Sequence, residues 1–181
     1  MKTRIILSIL LVSGFFTGCK NDKSVDSLEV VKPVVVDNTF KVTLNVIVKK
    51  DDDFALFFTQ DGSTDFKDAP IWQGVKGSEN PQQIKYILPQ DVYPTQLRLD
   101  FGLKNDQEDV TLKSVLLEYK DKKREIIGTE LINFFRPDDS KCTFDPTTGV
   151  IKALVKEGKK QSPSLYPQES QLGPEILKLA K

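Results

Sequence analysis

Apolar and polar side chains alternate with a period of two along much of this chain, and this alternation restricts its fold more than any other feature. In KVTLNVIV (41–48) every second residue is apolar, so an extended backbone presents one apolar face and one mainly polar face. QIKYIL (83–88) and QLRLDFG (96–102) repeat the pattern. Such segments are typical of β-strands that lie with one face on a hydrophobic core and the other toward solvent.

Further apolar runs extend this strand pattern. FALFFT (54–59) is almost continuously apolar and is predicted to be a central strand. VTLKSVLLEY (110–119) changes the phase of its alternation near Lys113 and Ser114, which predicts a β-bulge there. Three more strands are predicted in the runs REII (124–127), LINFF (131–135) and GVIKALV (149–155).

Glycine, proline, asparagine and aspartate residues separate these runs and indicate turns. The one helix candidate is PEILKLAK (174–181), in which Pro174 suits the first helical position. Eight or nine short strands with turns between them predict an all-β fold, an antiparallel, jelly-roll-like β-sandwich over residues 40–181. We expect a short C-terminal helix at most.

The first residues are typical of a secretory signal peptide. Lys2 and Arg4 supply a basic start, and the apolar run from Ile5 to Phe16 is interrupted only by serine and glycine. This run is too short to span a bilayer, which takes about 20 apolar residues. We therefore predict that residues 1–18 form a signal peptide that is removed from the mature protein.

Phe16-Thr17-Gly18-Cys19 resembles the lipobox of bacterial lipoproteins, with Phe16 where leucine is usual. The resemblance implies that cleavage precedes Cys19, that its thiol is acylated with palmitate-type chains, and that the lipid anchors the mature protein in a membrane. Two or more acyl chains hold a protein stably on a bilayer. Residues 19–39 then form a tether, or add an edge strand to the domain. The alternative is an ordinary secreted protein in which Cys19 is incidental.

The residues after Cys19 bear on the location of the protein. An aspartate directly after the lipidated cysteine would resemble an inner-membrane retention signal. This chain has Lys20 at that position, so we predict an outer-membrane lipoprotein of the cell envelope. Lys20-Asn21-Asp22-Lys23 resembles the charged export tags of surface lipoproteins in Bacteroidota. The periplasmic and the surface-facing orientation therefore both stay open.

Composition excludes several classes of function. The chain has no histidine, which rules out Ser-His-Asp and Cys-His catalysis in their usual forms and zinc sites built on imidazole. Removal of residues 1–18 takes away Lys2 and Arg4 and no acidic residue, so the mature chain has a net charge of −2 and no basic excess for binding nucleic acid. With Cys19 assigned to lipid, Cys142 has no disulfide partner and is predicted to be buried and inert.

A second resemblance concerns the globular part. The succession IWQGVKGS, QQIKYILP, LRLDFG and VTLKSVLLEY resembles the middle of jelly-roll domains of the carbohydrate-binding-module and discoidin-like type. It covers residues 40–135. The resemblance implies a role in binding glycans or in contacting other proteins, and it implies no particular ligand.

Five residues are candidates for binding a glycan: Trp72, Tyr93, Gln96, Arg98 and Asp100. Trp72, the only tryptophan, is either a platform on which a sugar stacks or, as we favour, an aromatic plug of the core. The alternating side chains of Gln96, Arg98 and Asp100 either hydrogen-bond sugar hydroxyls or, the favoured interpretation, form the solvated side of a sheet. Tyr93, in the adjoining turn, would strengthen the sugar interpretation if it lay beside that row.

One loop has oxygen ligands at alternate positions. Asp61, Ser63 and Asp65 have the spacing of calcium ligands, although the surrounding residues do not complete a calcium-loop pattern. A structural Ca²⁺ is therefore a weak alternative to an ordinary polar hairpin loop. No other cofactor is predicted.

The sequence as a whole predicts a binding protein without catalytic activity. Its predicted partners are a membrane, through the lipid anchor, and a glycan, the preferred ligand class; no nucleic acid is expected. One alternative is a structural or assembly lipoprotein that contacts other envelope proteins. A less favoured alternative is a glycosidase or lyase that uses two carboxylates, for which no reaction motif is visible.

Overall fold

The structure, a computed structural model, describes residues 37–181. The predicted signal peptide (1–18), the lipidation site Cys19 and all but the last three residues of the predicted tether lie outside the described residues. The strands are β1 (Phe40–Val48), β2 (Asp52–Thr59), β3 (Ile71–Val75), β4 (Ser78–Ile87), β5 (Gln96–Phe101), β6 (Val110–Tyr119), β7 (Lys122–Ile127), β8 (Phe135–Pro137), β9 (Cys142–Asp145), β10 (Val150–Ala153), β11 (Val155–Lys156), β12 (Lys159–Lys160) and β13 (Ser164–Pro167). The helical elements are a 3-10 turn (Gly128–Glu130), α1 (Leu131–Phe134) and α2 (Glu169–Ala180).

Two antiparallel sheets contain eleven of these strands. Sheet A has the order β4-β1-β6-β10-β9, with β7 also paired to β6, and sheet B has the order β3-β2-β5-β13-β8. The short strands β11 and β12 form a separate hairpin. The predicted all-β antiparallel sandwich with a short C-terminal helix is therefore confirmed. The described residues contain more strands than the eight or nine expected, because β8 to β13 are only two to four residues long and leave a weak alternation in the sequence.

The core lies between the two sheets, and the alternation of the strands determines which side chains enter it. On β1, Val42, Leu44, Val46 and Val48 are at most 1% exposed, as predicted. On β5 the inward side chains are equally buried: Leu97, Leu99 and Phe101. The pairing of β1 with β6 shifts between Asn45 and Val46, which leaves Lys113 as the additional residue on β6. The predicted β-bulge is thus confirmed, and it keeps apolar residues on both sides of the bulge directed at the core.

Two sequence predictions about local structure are wrong. LINFF is not a strand: Leu131–Phe134 is one helical turn and only Phe135 begins β8. Helix α2 begins at Glu169, five residues before Pro174, which lies inside the helix instead of at its first position. The first error arises because a short apolar run is compatible with a buried turn of helix as well as with a strand. The second arises because proline is usual at the first helical position.

Helix α2 contacts β5, β6 and β7. Its side chains Leu172, Ile176 and Leu179 are at most 6% exposed and belong to the core. The guanidinium of Arg124 on β7 forms an ion pair with Glu175 of the helix, with Nε 2.6 Å from Oε1. It also pairs with Glu130. No helix within 37–181 is both long and apolar enough to cross a membrane.

Tyr86 places a hydroxyl in the core without a hydrogen-bond partner among the described residues. The side chain is 1% exposed. Burial, and then the nearby charge of Asp100, raise the pKa of the phenol. The folded state therefore disfavours both the unpaired hydroxyl and its ionised form.

Tyr86→Phe is expected to increase the free energy of unfolding by about 1 kcal/mol, because it removes the unpaired buried hydroxyl. Because the folded-state pKa of the phenol is raised, its ionisation leaves stability unchanged below the unfolded pKa of about 10 and lowers stability progressively as the pH rises above that value. The variant should therefore lose less stability than the unmodified protein above about pH 10. Urea denaturation across this pH range measures both effects, and a decrease in stability at neutral pH would contradict the assignment. In the control Tyr93→Phe, loss of the hydrogen bond to the Ile176 carbonyl should lower stability instead.

Candidate functional site

The outer face of sheet B carries two rows of side chains that run across its strands. On β2, Phe54 and Leu56 point into the core, whereas Ala55 and Phe57 lie on the opposite, outer face. Ala55 is in register with Trp72 on β3 and with Asp100 on β5, which forms the first row. In the second row Phe57 is in register with Arg98, and Tyr166 on β13 is in register with Arg136 on β8.

Arg98 lies among three aromatic rings, and we call Phe57, Phe66, Arg98 and Tyr166 the aromatic–arginine cluster. The guanidinium carbon of Arg98 is 3.8 Å from the ring centroid of Phe57, 5.3 Å from Tyr166 and 5.6 Å from Phe66. Phe66 closes the group, with its centroid 6.5 Å from Phe57 and 6.0 Å from Tyr166. These distances are typical of cation–π and edge-to-face contacts, which fix the orientation of the rings and of the guanidinium.

Arg98 also forms a bidentate ion pair with Asp100. Its Nε lies 2.9 Å from Oδ1 and its Nη2 lies 2.8 Å from Oδ2, while Nη1 donates to the Tyr166 hydroxyl at 3.3 Å. Both side chains of the pair are 14% exposed. Burial alone would lower the pKa of Arg98, but the hydrogen bonds and charge of Asp100 outweigh burial and raise it. The favoured expectation of a solvated polar row is therefore wrong, because aromatic rings cover the pair.

Trp72 and Arg136 flank the cluster on the two edge strands of sheet B. The Trp72 side chain is 50% exposed on β3, and Ala55 beside it is 1% exposed. The favoured interpretation of Trp72 as a plug of the core is therefore wrong. Arg136 is exposed on β8, with its guanidinium carbon 5.5 Å from the Tyr166 ring centroid. At about 4.8 Å between strands, the surface from Trp72 to Arg136 spans about 19 Å across five strands.

Two of the five candidate residues do not contribute to this surface. Gln96 is 5% exposed, and its Nε2 donates to the Glu169 carbonyl oxygen at 3.2 Å, so it lies against the start of α2. Tyr93 donates its hydroxyl hydrogen to the Ile176 carbonyl of the same helix and packs edge-on against Tyr119 at 4.8 Å. Burial raises the pKa of Tyr93 to about 12. Gln96 and Tyr93 therefore hold α2 against the strands, whereas Trp72, Arg98 and Asp100 share the outer face of sheet B.

The loop after β2 has the geometry of a side-chain-stabilised turn. Both the backbone N–H and the hydroxyl of Ser63 donate to Oδ1 of Asp61, at 3.0 and 2.8 Å, and these bonds lower the pKa of that carboxyl. Asp65 pairs with Lys67 and, with Asp61 and Asp68, lines an open recess. In the part of the chain that the structure describes, no group of three or more acidic, cysteine or histidine side chains is arranged to hold a metal ion. The calcium site stays a prediction.

Cys142, the only cysteine in the described part of the chain, is fully buried, as predicted, and is not part of the site. Its thiol lies 3.4 Å from the Ser164 carbonyl oxygen. Burial raises the pKa of the thiol, which disfavours the reactive thiolate. This environment is that of a structural cysteine.

Four residues of the surface were not predicted from the sequence: Phe57, Phe66, Tyr166 and Arg136. Phe57 was part of a predicted strand, but a continuous apolar run does not reveal which side chains face outward. Tyr166 lies in SLYP, a four-residue strand ending in proline that was not predicted. One signal was present in the sequence: FALFFTQDGSTDF contains more aromatic residues than one buried strand can place in a core, so some of them had to lie outside it.

Comparison of the chain with protein-family models, with curated proteins and with solved structures finds no match.

Proposed function

We propose that the protein binds glycans on the outer face of sheet B and performs no catalysis. The observation that carries the proposal is Trp72, half-exposed at the edge of a sheet face whose centre is the aromatic–arginine cluster. An exposed indole offers a flat apolar surface on which the C–H face of a sugar ring stacks. Arg98 has five N–H donors, of which three are bonded to Asp100 and Tyr166, so donors are left for sugar hydroxyls.

Rigidity of the cluster supports this function. The ion pair and the ring contacts hold Arg98 and Asp100 in one arrangement before any ligand arrives. A surface ordered in advance loses less side-chain entropy on binding. Arg136, exposed at the opposite edge from Trp72, adds a second cation, which forms no ion pair within residues 37–181 and can donate to polar ligand groups.

The order in which the chain enters the two sheets also supports the proposal. The chain crosses between sheet A and sheet B after β1, after β3, after β4 and after β5. This repeated crossing agrees with the jelly-roll likeness inferred from the sequence, and jelly rolls include lectin domains. A shared fold does not establish a shared function, and the main support for glycan binding is the chemistry of the surface itself.

The proposal places the domain at the cell envelope, on a lipid anchor in the outer membrane. The support is the lipobox resemblance at Phe16-Thr17-Gly18-Cys19 and the signal-peptide pattern before it. An acylated Cys19 at the amino terminus of the mature protein, detected by mass spectrometry, would bear this out. An unprocessed terminus without lipid would contradict it.

Trp72→Ala is expected to weaken glycan binding about tenfold, which corresponds to about 1.4 kcal/mol and is in the range of an aromatic stacking contact. A glycan array probed with the unmodified protein and the variant measures the effect. Ile127→Ala is the matched control, because Ile127 is also an exposed large apolar residue but lies on β7 of sheet A. Retention of the same glycans at equal strength by Trp72→Ala, or no retained glycan in any form, would contradict the proposal.

A structural or assembly role is the second candidate, and the composition of the same surface favours it. Tryptophan, tyrosine and arginine are the residues that dominate protein–protein hot spots. Within residues 37–181, β3 pairs only with β2, so its outer edge is free to receive a strand from a partner. Loss of a co-purified envelope protein in Trp72→Ala, with an unresponsive glycan array, would favour this role.

A further inference from the structure

The β11–β12 hairpin and the loop after β5 lie beside each other and carry two exposed apolar side chains and four lysines. Val155 is 66% exposed and Leu103 is 59% exposed. Val155 is paired with Lys160, and Lys160 lines the same crevice as Leu103. We call this surface the lysine tip, which consists of Leu103, Lys104, Val155, Lys156, Lys159 and Lys160.

The lysines of the tip form no ion pair within the described part of the chain, although the ammonium of Lys104 donates to the backbone carbonyl of Asp51 at 2.9 Å. Between residues 37 and 181, no carboxylate lies within 4.0 Å of the ammonium group of Lys104, Lys156, Lys159 or Lys160. Lys156 and Lys159 are directly opposite each other in the hairpin, where like charges repel. The neighbouring Glu108 pairs with Lys49 at 3.4 Å and Lys50 at 3.8 Å, and with Asp109 it lines a recess that also contains Lys160. Glu157 is the one acidic residue of the hairpin.

The hairpin is held in one conformation. Its two turn residues, Glu157 and Gly158, have φ angles of +51° and +74°, as a tight two-residue hairpin turn requires. At its base the Gln161 N–H donates to the Leu154 carbonyl at 2.8 Å. The turn and this bond pair Lys156 with Lys159, on the hairpin face opposite to Val155 and Lys160, although their repulsion costs stability.

We propose that the lysine tip docks on an anionic phospholipid surface. Lysines on both faces of the hairpin are attracted to such a surface, and the exposed side chains of Val155 and Leu103 enter the headgroup region. A membrane fits this surface better than a folded protein, because two apolar side chains, Val155 on the hairpin and Leu103 on the loop after β5, offer little contact area. The tip shares no residue with the glycan surface, so either proposal can fail without the other.

The test uses tryptophan fluorescence of the full chain with Trp72→Phe and Val155→Trp, mixed with phospholipid vesicles. In vesicles with about 30% phosphatidylglycerol the emission should shift to the blue and be quenched by brominated lipid, whereas pure phosphatidylcholine should leave it unchanged. About 1 M salt should reverse the effect, because the screening length falls from about 10 Å at 0.1 M to about 3 Å. Lys156→Gln with Lys159→Gln should reduce the docked-to-free ratio about 30-fold, at roughly 1 kcal/mol per lysine.

Leu177→Trp in the same Trp72→Phe background is the control, because Leu177 is a comparably exposed apolar residue on α2. Its emission should be equal in both kinds of vesicle. The proposal is overturned if Val155→Trp shows the same emission in anionic and neutral vesicles, or if its quenching is insensitive to the lysine substitutions. Circular dichroism of each variant shows that the compared proteins are folded.

Discussion

Replacement of Gly149 by alanine is expected to lower the free energy of unfolding by about 3 to 4 kcal/mol. Gly149 has a φ of +77°, where an L-residue is strained by about 1 to 2 kcal/mol. A Cβ at this position would also lie 2.2 Å from the backbone oxygen of Leu112, next to the β-bulge of β6. The Gly149 carbonyl also accepts the hydrogen bond of the Leu112 N–H at 2.8 Å. Moving the turn away from β6 to relieve the overlap would therefore break this bond and weaken the pairing of β10 with β6.

Gly62→Ala is the matched control for this prediction. Gly62 has a similar φ of +82°, but its added Cβ would meet no atom within 4 Å. Gly62→Ala should therefore lower the free energy of unfolding only by the backbone strain, about 1 kcal/mol. Urea denaturation of both variants separates strain from steric overlap, and an equal loss of stability in the two would show that the contact with β6 does not matter.

The alternation of the central strands was sufficient to predict the layers of the fold. Every second residue of β1 and of β5 is apolar, and a one-residue shift would expose the whole apolar set, so the inward faces were determined before any tertiary contact. The bulge at Lys113 followed from the same rule, because only an additional residue reconciles the two phases of β6. The local pattern alone was therefore sufficient to predict which side chains of these strands face the core.

The edges of the fold could not be predicted in the same way. Strands β9 and β13 are four residues long, too short for a clear alternation. The pairing of β13 with β5 also depends on contacts distant in sequence, since Ser164 is in register with Asp100. Leu172, Ile176 and Leu179 do have the spacing of a buried helical face, but Gly173-Pro174 between them was interpreted as the start of a helix. Tertiary packing overrode this local signal.

The candidate surface shows the same limit. The exposure of Trp72 depends on β3 being an edge strand, and no feature of IWQGV reveals that position. Gln96 and Arg98 are two residues apart on one strand face, yet α2 covers the first and aromatic rings cover the second. Alternation assigns a side chain to a face of a sheet, but it does not reveal what another element places on that face.

Asp52→Ala is expected to destabilise the protein by about 3 kcal/mol, because Asp52 is a buried acceptor for several donors. Its side chain is 2% exposed, and it accepts the N–H of Leu103 at 2.9 Å and the amide of Gln107 at 3.0 Å. It also accepts its neighbour's N–H, from Asp53, at 2.8 Å. These bonds connect the start of β2 to the loop that carries Leu103 and Lys104 of the lysine tip, so truncation leaves buried donors without an acceptor and releases the loop.

Urea denaturation measures the loss of stability, and amide hydrogen exchange measures the release of the loop. In Asp52→Ala the amide of Leu103 should exchange faster relative to those of the core strands, because its acceptor is gone. Asp53→Ala is the control: Asp53 is the adjacent residue on the same strand but is exposed, and its replacement should change stability by less than about 0.5 kcal/mol. The release should also weaken vesicle docking of the Val155→Trp protein, because Leu103 and Lys104 would no longer be held beside the hairpin. Unchanged exchange at Leu103 would show that Asp52 does not hold the loop.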